Sequence, residues 1–150
     1  MKIVVQKVKK AKVTVDSNIV GSIEKGMVVL LGFAHNDTIK QMEWIANKIA
    51  NLRIFEDEAG VMNKSLSDFE NMGILFISNF TLYGNIKKGF RPSYVEAAPN
   101  NIAQIMYQKF LDYFKKNYSN KIKIQEGIFG AMMEIELIND GPVTIIIEKE

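Results

Sequence analysis

A chain of 150 residues, 47% apolar and 24% charged, is long enough to bury its own core and too apolar to be a disordered tract. It has no cysteine, one histidine and a formal net charge of +2, which rules out disulfides and thiolate chemistry and leaves little from which to build a zinc site or a Ser-His-Asp triad. No apolar run approaches the roughly 20 residues of a membrane-crossing helix, no secretion signal opens the chain, and with cysteine absent the expected location is the cytoplasm.

Lys2 to Val8 and Ala11 to Asp16 alternate like strands, Ser17-Asn18 is a turn, and Ile19 to Ile23 continues the sheet. Met27 to Phe33 is an apolar run suited to a strand buried on both faces. His35 follows it in a loop and has no partner of the kind a catalytic base needs. Asp37 or Thr38 can cap the first helix, with Gln41 placed for a capping box. Ile39, Met42, Ile45, Ala46, Ile49 and Leu52 form its apolar stripe. Gly73 to Ser78 is another buried strand, which delivers Ser78 and Asn79 at its end. A second helix follows Pro99, capped by Asn100 or Asn101, with Ile102, Ile105, Met106, Phe110, Tyr113 and Phe114 as its stripe. Strands at Lys121 to Gln125, Ala131 to Ile138 and Val143 to Ile147 close the chain. No linker or repeat divides residues 1–150, so a single α/β domain is expected.

Three segments stand out. The first is Asn139-Asp140-Gly141-Pro142-Val143-Thr144, a polar turn running through Gly-Pro into an apolar strand. By itself it is a hairpin corner. The second is Ser78-Asn79-Phe80-Thr81-Leu82-Tyr83-Gly84, followed by Lys88-Gly89-Phe90-Arg91-Pro92-Ser93-Tyr94. The third is Phe129-Gly130-Ala131-Met132-Met133, in which Phe129 and Met133 are equally suited to a core and to a purine platform. Lysines gather around residues 7–12, 87–91 and 115–123. Each group is either a solvated face or a place for phosphate contacts.

Together, in this order and spacing, these segments resemble the D-aminoacyl-tRNA deacylases, also called D-tyrosyl-tRNA deacylases, over essentially the whole chain. The resemblance implies a three-layer α/β domain of mixed, largely antiparallel sheets with two main helices packed on one face. It implies hydrolysis of the ester that joins a D-amino acid to the terminal ribose of tRNA, and some cleavage of mischarged glycyl-tRNA. It places the chemistry at Ser78, Asn79, Phe80 and Thr81 and the terminal adenosine at Phe129, Gly130, Ala131 and Met133. Chiral selection falls to a Gly-cisPro pair, Gly141-Pro142, that reaches into the other subunit of a homodimer and excludes L side chains. No metal or cofactor is called for, and the partner is the aminoacylated 3′ end of tRNA, with no role for DNA or membrane.

Such an ester is already labile, so orientation and a water suffice, and the resemblance implies help from the neighbouring ribose hydroxyl. A main-chain donor at Phe80 or Thr81 would hold the oxyanion. Thr81 has no base beside it in the motif and is read as orienting rather than attacking. Two positions depart from the family pattern. Asn79 stands where glutamine is usual, and Lys7 where arginine is usual, which weakens any forked contact to the Gly-Pro loop. Two other readings remain: a non-catalytic binder of RNA 3′ ends on the same fold, and a hydrolase of other small esters.

Overall fold

The computed structural model describes residues 1–150. Its strands are β1 (Lys2–Val15), β2 (Asn18–Ile23), β3 (Gly26–Gly32), β4 (Phe55–Glu56), β5 (Met62–Lys64), β6 (Gly73–Ser78), β7 (Lys123–Glu126) and β8 (Glu134–Glu148); its helices are α1 (Ile39–Ala50) and α2 (Asn100–Tyr118). One main sheet runs β2-β1-β3-β6-β7, with β8 paired to the other edge of β1. The β1 pairings with β2, β3 and β8 are antiparallel. Those of β3 with β6 and of β6 with β7 are parallel.

This mixed sheet with two helices on one face agrees with the expected architecture. The larger core lies between that face and the helices. Val29, Leu31, Ile74 and Phe76 meet Ile45 and Ile49 of α1 and Phe110 and Phe114 of α2. A second, smaller core forms on the opposite face where the sheet curls, with Val8, Val13, Ile23, Val28, Leu75 and Ile77. Strands β3 and β6 are therefore buried on both sides, which explains their unbroken apolar runs. Their pairing starts at Gly26 and Gly73, where the backbones approach so closely that a Cβ on Gly26 would lie 1.8 Å from the Gly73 carbonyl oxygen.

Several expectations need correction. The two N-terminal strands are one 14-residue strand, long enough to serve both cores. The last two are likewise one 15-residue strand that passes through Gly141-Pro142. Chain from Gly127 to Met133, read partly as strand, is a loop, and β8 begins only at Glu134. In it Gly130 has φ +73°, in the left-handed region.

Helix α1 is capped by Thr38, with the reciprocal contact from Gln41 that the spacing predicts. Asp37 instead holds the Met1 ammonium and accepts from the Ala34 N–H at 2.8 Å. Helix α2 starts at Asn100 behind Pro99, so neither asparagine caps it with its side chain. Its buried face is Ala103, Met106, Tyr107, Phe110, Leu111 and Phe114. Ile102 and Ile105 point outward and are 40% and 57% exposed.

Candidate active site

Parallel pairing of β6 with β3 sets Ser78 beside Leu31 at the carboxyl end of the sheet. The chain then leaves the ladder. Asn79 keeps one tie to it, its N–H donating to the Leu31 carbonyl at 2.7 Å. Its side chain turns forward and caps a 3-10 turn over Phe80–Tyr83. Asn79 Oδ1 accepts from the Thr81 N–H at 3.0 Å and from Thr81 Oγ1 at 2.6 Å. One amide oxygen thus fixes both the backbone and the hydroxyl of Thr81. The Phe80 N–H opens the turn and has no partner within it.

The Phe129–Met133 loop comes to the same place. Gly127 donates its N–H to the Phe76 carbonyl at 2.9 Å, which ties the start of this loop beside β6. Phe129 lies against Tyr107 of α2 with ring centroids 5.6 Å apart. The buried Tyr107 hydroxyl donates to the Phe76 carbonyl at 3.3 Å. Burial, with the Glu126 carboxylate nearby, pushes that hydroxyl's pKa upward, so it stays a neutral donor. Phe129 is half-buried and Met133 packs beside the smaller core.

The two segments line one cavity of about 750 Å³, with Ser78, Asn79, Phe80 and Thr81 on one wall and Phe129, Gly130, Ala131 and Met133 on another. Tyr94, Pro99 and Ala103 contribute to the rest. Phe80 is 57% exposed and meets Tyr94 edge to face, centroids 5.0 Å apart. None of the 19 lining residues is charged and none is histidine. Ser78, Asn79, Thr81, Tyr94 and Asn100 are the cavity's polar side chains. Such a surface can orient an ester and a water, but its own side chains offer no ordinary general base. His35 lies exposed in the turn before α1 and does not line the cavity.

Gly141 and Pro142 are elsewhere. In the β1–β8 ladder Gln6 faces Thr144 and Val8 faces Asn139, so residues 140–143 bulge out opposite Lys7. The Gly141-Pro142 bond is cis, and Gly141 has φ +121°. Lys7 lies beside Met27 across β1–β3, and Ser78 lies beside Leu31. These positions are four residues apart along β3, roughly 13 Å at strand rise. Neither loop residue lines this chain's cavity.

The bulge is held in a way the sequence did not disclose. Lys7 is 1% exposed, and its Nζ donates to both carboxylate oxygens of Glu56 at 2.7 Å. It approaches Asp140 Oδ2 only at 3.7 Å and lies 5.7 Å from the Phe55 ring centroid. Glu56 is held below the usual carboxylate range, chiefly by that hydrogen bond. The Asn139 amide spans the bulge, donating to the Lys7 carbonyl at 2.9 Å and to the Val143 carbonyl at 3.0 Å. It replaces ladder bonds that the bulge removes. Asn139 opens the tail motif, so its position was visible although its role was not. Glu56 lies 49 residues from Lys7 and gave no signal.

Comparison with known proteins follows the same lines. The chain is 53% identical over 150 residues to the D-aminoacyl-tRNA deacylase of Fusobacterium nucleatum, covering all of this chain and 97% of that protein. It is 49% identical to the D-aminoacyl-tRNA deacylase of Bacillus cereus, with both chains fully covered. Among solved structures, one titled c-Myc DNA Unwinding Element Binding Protein superposes with a TM-score of 0.90 at 42% identity, covering 100% of this chain and 99% of that one. A probable eukaryotic D-amino acid tRNA deacylase shares the fold, with a TM-score of 0.81 at 15% identity over 97% of each chain. The family described as D-Tyr-tRNA(Tyr) deacylase matches residues 4–148, a span that contains both cavity walls and the Gly141-Pro142 bulge, and the chain belongs to that family.

Proposed function

We infer that this chain is a D-aminoacyl-tRNA deacylase, a carboxylic ester hydrolase of translation quality control. The observation that carries the reading is the single uncharged cavity shared by the Ser78–Thr81 turn and the Phe129–Met133 loop. Family membership supplies the substrate class: the ester between an amino acid and the terminal ribose of tRNA.

In this reading the adenosine lies against Phe129 and Met133, with Gly130 and Ala131 allowing close approach. The ester carbonyl faces the 3-10 turn. The Phe80 N–H donates to the oxygen that becomes negative, while the Thr81 N–H remains committed to Asn79. Thr81 Oγ1 donates its proton to Asn79 and offers lone pairs to substrate or water. Water attacks the carbonyl carbon, assisted by the neighbouring ribose hydroxyl. Its oxygen forms the new C–O bond, the ester C–O bond breaks, and the ribose oxygen leaves with a proton. Free D-amino acid and tRNA are the products.

Chiral selection is assigned to Gly141-Pro142 acting across a homodimer. The distance of the bulge from its own cavity supports this. So does β8, a 15-residue edge strand whose outer side is unpaired and which exposes Ile135, Ile138 and Ile146. Such an edge is normally covered. Carbonyls of the partner's loop would take the substrate ammonium and fill the space an L side chain needs. D side chains face solvent, and glycine, with nothing to exclude, is also cleaved. No helix is long and apolar enough to cross a membrane. The cytoplasm, where the substrate is made and used, is the assigned location.

The test is hydrolysis of D-Tyr-tRNA beside L-Tyr-tRNA. Cleavage of the D ester with the L ester spared is expected. Equal rates would reject the chiral mechanism, and binding of tRNA with no turnover of either would favour a non-catalytic 3′-end binder.

A further inference from the structure

Between the two cavity walls the chain throws out a loop that the reaction as described does not use. Asn85 and Ser93 close its base with two backbone hydrogen bonds, 2.8 and 2.9 Å. Asn85 Oδ1 also accepts from the Lys87 N–H at 3.0 Å. The tip reads Lys87-Lys88-Gly89-Phe90-Arg91, and Gly89 has φ +68°, which turns the chain there. Phe90 is fully exposed, at 104% of its reference area. No buried contact accounts for it, and an aromatic left in water has forgone the burial that usually places it. Lys87, Lys88 and Arg91 take part in none of the chain's ion pairs. The loop returns directly into Tyr94, which lines the cavity and packs on Phe80.

A bare aromatic ring flanked by three unpaired cations is the combination that holds unpaired nucleotides: the ring stacks a base and the cations meet phosphates. Continuity with the cavity mouth says which nucleotides are meant. We propose that the Asn85–Ser93 loop binds the single-stranded nucleotides next to the terminal adenosine of the aminoacyl-tRNA, with Phe90 stacking one base and Lys88 and Arg91 contacting phosphates. This rests on the deacylase reading, which provides the RNA 3′ end. It adds a second RNA-binding element outside the adenosine and ester site.

The experiment compares two small D-Tyr esters, one on adenosine and one on the trinucleotide CCA, in the wild type, Phe90→Ala, Phe90→Tyr and the double variant Lys88→Ala/Arg91→Ala. The wild type should prefer the trinucleotide. Phe90→Ala should remove that preference, with a KM rise of about 10-fold on the trinucleotide, the order of one base stack. Its rate on the adenosine ester should not change, and Phe90→Tyr should restore the preference. The double variant should lower the slope of log affinity against log salt by about 0.7 for each phosphate it no longer neutralises.

Equal activity of the wild type on both esters would overturn the proposal. So would an equal loss on both esters in Phe90→Ala, above all with a changed oligomeric state, since Phe90 would then be an interface residue. A wild type that cleaves neither small ester nor D-Tyr-tRNA would instead remove the deacylase reading itself, and the proposal with it.

Discussion

Thr81 and Asn79 are joined twice through one atom: Asn79 Oδ1 accepts both the backbone N–H and the hydroxyl of Thr81, at 3.0 and 2.6 Å. The hydroxyl proton is therefore directed at an amide oxygen, which is no base. An attacking alkoxide needs a base to take that proton, and the cavity lining has none. Thr81 orients.

Thr81→Ala should therefore lower kcat/KM by about 10- to 100-fold, the order of one hydrogen bond to a charged or developing-charge group. Thr81→Ser, which keeps the oxygen, should recover most of the loss. Steady-state kinetics on D-Tyr-tRNA check the rates, and mass spectrometry of quenched wild-type reactions checks for adducts. An aminoacyl group found on Thr81 would contradict the orienting role.

Asn79 can be separated from catalysis through stability. As cap of the 3-10 turn it satisfies a backbone donor, and such caps contribute about 1 kcal/mol. Asn79→Ala should lower Tm by about 2–4 °C in a chain of this size and also reduce turnover by freeing Thr81. Asn79→Gln keeps the amide and should retain activity, since glutamine is the family's usual residue there. Thermal unfolding and kinetics on the same preparations check both. A fully active, fully stable Asn79→Ala would mean the cap is incidental.

The fold class and the two segments that line the cavity were easier to pick out from the sequence than the limits of individual elements. The motif residues lie in short segments whose identities announce them, so Ser78–Thr81 and Phe129–Met133 were legible without any geometry. Element boundaries were not. Lys9 and Lys10 look like a break between two strands, yet they are solvent-facing residues of a single strand that serves two cores. In α2 the expected stripe and the buried face share Met106, Phe110 and Phe114, while Ile102 and Ile105 lie outside that face. The true face begins at Ala103, whose small side chain lets the helix lie close. The β4–β5 hairpin is only two residues against three, too short to show a period. The Lys7–Glu56 contact joins distant segments, and no local pattern can reveal such a pair.

That ion pair gives a pH-dependent prediction. Glu56 has a folded pKa below its ordinary value of 4.5, because Lys7 donates to it. A carboxylate with a depressed folded pKa contributes stability that is fully present above its unfolded pKa and is lost as pH falls through the folded one. Glu56→Gln should therefore destabilise the protein at pH 7, where it also leaves the buried Lys7 with only the more distant Asp140 carboxylate, at 3.7 Å, as counter-charge. The gap between variant and wild type should narrow as pH drops below about 4.5. Urea unfolding midpoints at neutral and acidic pH measure this. A gap that stays constant with pH would show that packing, not charge, is what the substitution removes.

The bulge that carries Gly141-Pro142 provides the sharpest test of the assembly. It leaves the ladder opposite Lys7, well along the sheet from Ser78, and takes no part in its own cavity. The proposed cross-subunit action has this loop reach the ester of another copy of the chain. Two defective chains separate the alternatives. One carries Ser78→Ala and Thr81→Ala with its loop intact. The other keeps its turn and carries Gly141→Ala, which forces a Cβ into positive φ and to 2.8 Å from Val143 Cγ2. Each homodimer should be impaired. In the mixed dimer the intact loop of the first chain meets the intact turn of the second, so one site is whole and activity should approach half that of the wild type. If each loop served its own chain, no site in the mixed dimer would be whole. Differently tagged chains can be co-expressed, purified as heterodimers and assayed on D-Tyr-tRNA. Failure of well-folded heterodimers to regain activity would place the loop's action within one chain. A monomer in solution would reject the shared site altogether.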